Sequence, residues 1–215
     1  MPQLLLLQWD FNDRLQQTSW QVVNPGSPET TYYIYDSGGQ RVRKVTERQA
    51  ASGTAPARLK ERLYLGSSQL YREYAGDGTT TSLERESLEI MADSKCILLI
   101  ESWTKGDYGS PARLFRYQFD NLIGSAALEL DDQAQLILYQ EYLPYGSTSY
   151  QAIRSQLDTP KGYRFIGKEQ DKESGLTFHG IRYYVSWIGR WLFPDPAGIK
   201  MDRMSSSTSL VIRPS

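Results

Sequence analysis

The chain has 215 residues, long enough for one large β domain or two small ones with a real core. Hydrophobic residues make up 40% and charged residues 23%, which is a globular composition and excludes a disordered chain. A formal net charge of −1 gives no electrostatic case for nucleic acid or an anionic membrane as partner.

The N-terminal run Leu4 to Leu7 is too short to span a bilayer and lacks the charged region and cleavage site of a signal peptide. No membrane insertion by this chain is expected, and export would need another route or an upstream part of a longer chain. An aromatic residue followed by aspartate then recurs, at Trp9-Asp10, Tyr35-Asp36 and Phe119-Asp120. Each predicts a hairpin: the carboxylate accepts hydrogen bonds from turn amides, and the Gly, Asn or Asp that follows tolerates the left-handed position. Arg41, Arg43 and Lys44 form a small basic patch, and the two arginines share one strand face by their spacing, which reads as a solvated edge. Residues 48–58 (RQAASGTAPAR) have no apolar period and predict a mobile connection.

Further hairpins follow in order. Arg62 to Leu65 pairs with Gln69 to Tyr74, and Cys96 to Trp103 with Arg113 to Phe119. Ala126 to Leu130 pairs with Gln135 to Tyr142 across Asp131-Asp132. Ser82 to Met91 alternates as a strand would, although Leu83 to Met91 is also readable as a helix, and Gln151 to Leu157 is the one other candidate for a short helix. Cys96 is the only cysteine, so internal disulfides and a cysteine-based zinc site are excluded; within an apolar strand it reads as a small buried hydrophobe. Short strands at regular spacing with turn signals between them predict an all-β sheet protein.

The densest aromatic run is Tyr163 to Pro196, punctuated by Gly167, Gly175, Gly180 and Gly189. It predicts strands at Tyr163 to Ile166, Leu176 to His179, Ile181 to Trp187 and Arg190 to Phe193, ended by Pro194 and Pro196. Tyr183, Trp187, Trp191 and Phe165 are expected to share one packed cluster, the most stable part of the chain. His179 is the only histidine; without a nucleophile elbow or a second ligand at metal spacing it reads as a strand-end residue. The serine-rich end, residues 202–215, is expected to be disordered.

The segments GKEQDKESGL, HGIRYY and WIGRWLFPDPAG, with YQFDNLIGSAALELDDQAQLILYQEYLPYGSTSY before them, closely resemble the core-associated region of rearrangement-hotspot (YD-repeat) proteins. The likeness is greatest to the C component of tripartite insecticidal toxin complexes. It divides the chain into a YD-repeat hairpin region at 1–116, an associated core at 117–198 and a divergent tail at 199–215. What the resemblance implies is a C-terminal fragment of a hollow β cocoon, a spiral sheet that encloses a toxic polypeptide, lacking here the bulk of the shell and its cargo. The implied partners are other YD-repeat shell segments or the B component of the complex, in an extracellular toxin; no cofactor and no metal is implied.

The same resemblance implies an aspartic autoprotease that releases the C-terminal toxin. By motif, its first aspartate is Asp195 in Phe193-Pro194-Asp195-Pro196, and its arginine is Arg182 in Ile181-Arg182-Tyr183-Tyr184. The second aspartate has no counterpart, and Asp202 matches a noncatalytic position. Two carboxylates sharing a proton are what the chemistry needs, so an inactive site is expected, with Arg182 and Asp195 as a structural ion pair. A third function, extracellular adhesion of the YD-repeat type, would be favoured by a contiguous exposed aromatic patch.

Overall fold

The computed structural model describes residues 5–20, 25–93, 95–106, 112–154, 163 and 165–194. Its strands in chain order are β1 (Leu5–Trp9), β2 (Leu15–Trp20), β3 (Gly26–Ser27), β4 (Thr30–Tyr35), β5 (Arg41–Glu47), β6 (Ala50–Ala51), β7 (Arg58–Leu65), β8 (Ser68–Tyr74) and β9 (Thr81–Ala92). There follow β10 (Lys95–Lys105), β11 (Arg113–Asp120), β12 (Ala126–Leu130), β13 (Leu136–Tyr142), β14 (Thr148–Ile153), β15 (Glu169–Gln170), β16 (Thr177–Phe178), β17 (Tyr183–Val185) and β18 (Arg190–Trp191). Twelve of them form one antiparallel meander in the order β1-β2-β4-β5-β7-β8-β9-β10-β11-β12-β13-β14. β15 to β18 make a second sheet, and β3 pairs with β6 beside the first. Residue 117 lies inside β11, so the regions 1–116 and 117–198 share the long sheet.

Among the described residues, the turns that start at Asp10, Asp36, Asn121, Asp131 and Leu143 share one construction. The first residue donates its N–H to the carbonyl of the fifth, and the fourth donates back to the first, at 2.8–3.1 Å. The fourth residue is left-handed each time: Asp13, Gly39, Gly124, Ala134 and Gly146 have φ between 57° and 86°. In the first four turns the Asp or Asn Oδ1 also accepts the N–H of the fifth residue, at 2.8–2.9 Å. The aspartate signal therefore reads correctly at Asp10 and Asp36. At Phe119-Asp120 it is one residue early, because Asp120 ends β11 and Asn121 closes the turn.

Each of these turns runs into a one-residue register shift in the hairpin it closes. A bulge of this kind reverses the inward and outward alternation behind it. Leu15 and Thr18, Arg41 and Lys44, and Ala126 and Glu129 are consequently buried at a spacing of three, where an unbroken strand would place them on opposite faces. That is the reason Arg41 and Lys44 do not form a solvated edge. Both are buried, while Arg43 points to the opposite face and pairs with Glu61.

Other expectations are corrected locally. Leu83 to Met91 lies wholly within strand β9, and the helix candidate at Gln151 begins as strand β14, its residues 155–157 lying outside the described ones. No α-helix occurs among the described residues. Tyr163 to Ile166 is not a strand: Tyr163 makes one isolated bridge to Glu169, and Phe165–Gly167 forms a single 3-10 turn with Ile166 at φ 45°. Residues 48–58 contain β6, and Arg48 N–H donates to Ala57 O. The tail at 202–215 lies outside the described residues.

The small sheet docks on the face of the long sheet formed by its first strands. Leu176, Tyr183 and Val185 meet Leu15 and Tyr33 there, with Leu7, Trp9, Tyr35, Phe178 and Leu192 around them. The expected aromatic cluster is thus divided. Tyr183 is in this core, Phe165 packs on Tyr142, Trp191 stacks with Tyr184 and His179, and Trp187 is 56% exposed.

Candidate functional site

Arg182 lies just before β17. Its Nη2 donates to Phe193 O at 3.0 Å, and its guanidinium sits 4.1 Å over the Trp191 ring. Phe193 in turn meets Trp9 edge to face, with ring centroids 3.8 Å apart. The arginine therefore fixes the backbone that leads to Asp195, while Asp195 itself and Asp202 lie outside the described residues. A cleft of about 570 Å³ opens beside this segment, walled by Trp9, Arg14, Tyr35, Phe178, Arg182 and Phe193.

His179 follows β16 and is wedged against Trp191, ring centroids 4.9 Å apart. Burial chiefly, then the nearby charges of Lys168 and Arg182, lower its pKa to about 4, so it is neutral at ordinary pH. Cys96 is half-buried on β10, its Sγ 3.7 Å from Leu98 O. Among the described residues no group of three or more His, Cys, Asp or Glu side chains is arranged to hold a metal ion.

The strongest electrostatic feature is a buried ion cluster between the sheets, which the sequence reading missed. The guanidinium of Arg41 donates to Glu169 Oε2 and, at 2.8 Å, to Asp171 Oδ2. Lys44 Nζ reaches Asp171 Oδ1 at 2.7 Å and Glu173 Oε2 at 3.1 Å, and Lys60 holds Glu173 at 2.7 Å. Tyr64 donates its hydroxyl to Glu169 Oε1 at 3.0 Å, and Arg41 stacks 4.5 Å from the centre of Phe178. Burial alone would raise the Glu169 pKa, but attraction to Arg41, Lys44 and Arg62 overrides it and holds it at about 2. Burial opposes ionisation of Glu173 likewise, and Lys44 and Lys60 keep it well below the usual range. The sequence carried one signal for this cluster: Glu169, Asp171 and Glu173 alternate within GKEQDKESGL, as acidic groups on a single face would.

A second network lies on the same face, further along the long sheet. Arg116 donates to Glu101 at 2.6 Å and to Glu129 at 3.0 Å, and Arg85 reaches Glu101 at 3.1 Å. All four side chains are buried. This face is therefore polar inside, with charges neutralised in pairs as burial demands.

With this geometry the chain matches known proteins over nearly its whole length. It is 33% identical over 215 residues to toxin subunit YenC1 of Yersinia entomophaga, and 35% identical over 171 residues to toxin subunit YenC2 of the same organism. These alignments take in 96% and 77% of this chain but only 21% and 17% of the relatives. A crystal structure of TcdB2-TccC3 superposes with a TM-score of 0.81 at 33% identity, covering 92% of this chain and 9% of that one.

The chain is a YD-repeat protein of the Tc toxin C-component type.

Its long antiparallel sheet matches the β-sheet shell of that type. No family model matches the sequence. This YD-repeat chain spans about a fifth of the length of the curated relatives it matches.

Proposed function

We propose that this chain is a wall-and-closure element of a toxin shell, which helps enclose a toxic polypeptide and works outside the cell. The observation that carries this reading is the docked small sheet, held to the wall by the Arg41 and Lys44 ion cluster within a fold that follows TccC3 over 92% of the chain. The wall is built of successive hairpins, five of which repeat one turn, so it extends by adding units, each burying side chains against its neighbours. Its partners are the adjoining shell segments, among them the B component, and the enclosed polypeptide; a near-zero net charge offers nucleic acid no attraction. The test is a segment swap. This chain replaces the equivalent segment of YenC1, and the shell is assayed for assembly with its partner subunit and for protease protection of its cargo. Assembly with protection is expected, and failure of both in a folded chimera would overturn the reading.

Self-cleavage is a second reading, favoured by the cleft beside Phe193 and the hold of Arg182 on that backbone. An arginine orients and stabilises charge but does not exchange a proton near neutral pH, so it does not replace the missing second carboxylate. We therefore expect no cleavage at Asp195. Intact-mass measurement of the chain and of Asp195→Asn, kept for days at acidic and neutral pH, checks this. A defined fragment seen only in the parent would sink it.

A further inference from the structure

Over β9 to β13 the long sheet is apolar on both sides. On the docked side it buries Arg85, Glu101, Arg116 and Glu129 among Leu83, Leu99, Leu114 and Leu138, and the opposite side carries an apolar ladder open to solvent. Cross-strand pairing sets that ladder in rows over β9, β10 and β11: Ile90, Leu98 and Tyr117 in one, Leu88, Ile100 and Phe115 in the next. Phe119 and Tyr139 continue it through Leu128 of β12. Leu88, Ile90, Tyr117, Phe119 and Tyr139 each expose between 36% and 51% of their surface. The third row, Glu86, Ser102 and Arg113, closes the ladder with charges of opposite sign at its two ends.

We propose that this ladder packs face to face on the same ladder of a second copy of the chain, making a closed two-sheet sandwich. At about 200 Å² for each side chain, the exposed parts of these five residues amount to roughly 400 Å² of apolar surface per copy. That is the size of the largest patch on an ordinary monomer, about 300–600 Å², which is often functional. It is about half of the ~800 Å² per partner of a standard interface, which makes the pair a weak, concentration-dependent one. The rows are also self-complementary. A two-fold axis parallel to β10 leaves Leu98 facing its own copy, and sets Ile90 against Tyr117 and Leu88 against Phe115. The same axis brings Glu86 opposite the partner's Arg113, so charge as well as shape favours the pair. Face-to-face sheets separated by about 10 Å interdigitate their side chains in this manner.

Sedimentation velocity of the whole chain over a wide concentration range tests the proposal. The expected mass saturates at two copies. Leu98→Lys, which opposes two ammonium groups at the axis, should weaken the dimer at least about thirtyfold. Glu86→Arg should weaken it less, and Glu86→Arg combined with Arg113→Glu should restore it. These two exposed positions decide the matter if Leu98→Lys lowers the melting temperature. Ser149→Lys, on the open edge strand β14, should leave the dimer intact. A parent that stays monomeric would overturn the proposal, as would a dimer indifferent to both Leu98→Lys and the Glu86 reversal. Growth beyond two copies that Ser149→Lys stops would mean edge pairing, and would overturn it equally.

Discussion

Along the long sheet five hairpins close through groups four residues apart, as when Asp36 receives the N–H of Gln40. The small sheet is instead held by groups more than a hundred residues apart, with Arg41 and Asp171 separated by 130 positions. The turns are repeated, so losing one leaves its neighbours in place. The clamp is buried and single. Removing one of its charges strands the others in a medium that cannot solvate them. Sequence repetition and structural importance are therefore separate matters here: the recurrent aspartates shape the wall, and the acidic run that occurs once fastens the closure.

The largest expected effect is at Asp171, whose side chain is fully buried between Arg41 and Lys44. Asp171→Ala should cost about 3–5 kcal/mol, because two cations are left facing an apolar void. Chemical denaturation should show the loss, with the small sheet becoming sensitive to protease first. A cost under about 1 kcal/mol would mean that the docking rests on apolar contacts alone.

Next comes a pair of substitutions within the small sheet. Leu176→Ala removes a buried side chain from the shared core and should cost about 2–5 kcal/mol. Trp187→Ala, at a largely exposed position, should cost much less despite the larger residue. Equal shifts in the two melting curves would restore the tryptophan-centred core expected from sequence.

A smaller effect is tied to pH. The folded-state pKa of His179, about 4, lies below the unfolded value of about 6.5, so the unfolded chain binds the proton first. Stability is fully present above pH ~6.5 and declines as pH falls towards 4, where the folded histidine also charges. Allowing for solvent screening of a partly exposed ring, the loss is about 1–2 kcal/mol. Glu169 and Glu173 add a loss of their own only below about pH 5, where their unfolded carboxylates begin to take up protons while the folded ones stay ionised, and that loss is common to the parent and a His179 variant. Comparing the parent with His179→Gln in thermal melts at pH 7 and pH 4.5 measures the difference. An unchanged pH slope in the variant would refute the assignment.

The smallest effects belong to the turns. Asp36→Ala should cost about 1 kcal/mol through its lost acceptor. Ala134→Gly should stabilise by about 0.5–1 kcal/mol, because Ala134 sits at φ 59° where glycine is unstrained. Thermal melts of the two variants should shift in opposite directions.

The all-β class, the hairpin order and the YD-repeat likeness were legible in the sequence, because strand alternation and turn chemistry act between neighbours. The turn aspartates could be read for the same reason, apart from the displacement of one residue at Asn121. The burial of Arg41 and Lys44 was not legible. A one-residue bulge reverses the face of everything behind it, and its effect on burial shows only once the strands are paired. Nor could a linear reading tell Trp187 at the surface from Tyr183 in the core, since both fit a strand period and only the docking of one sheet on the other separates them. Local hydrogen bonding thus wrote the hairpins into the sequence, while long-range charge pairing and sheet stacking, which join residues far apart in the chain, decided where the core and the clamp would be.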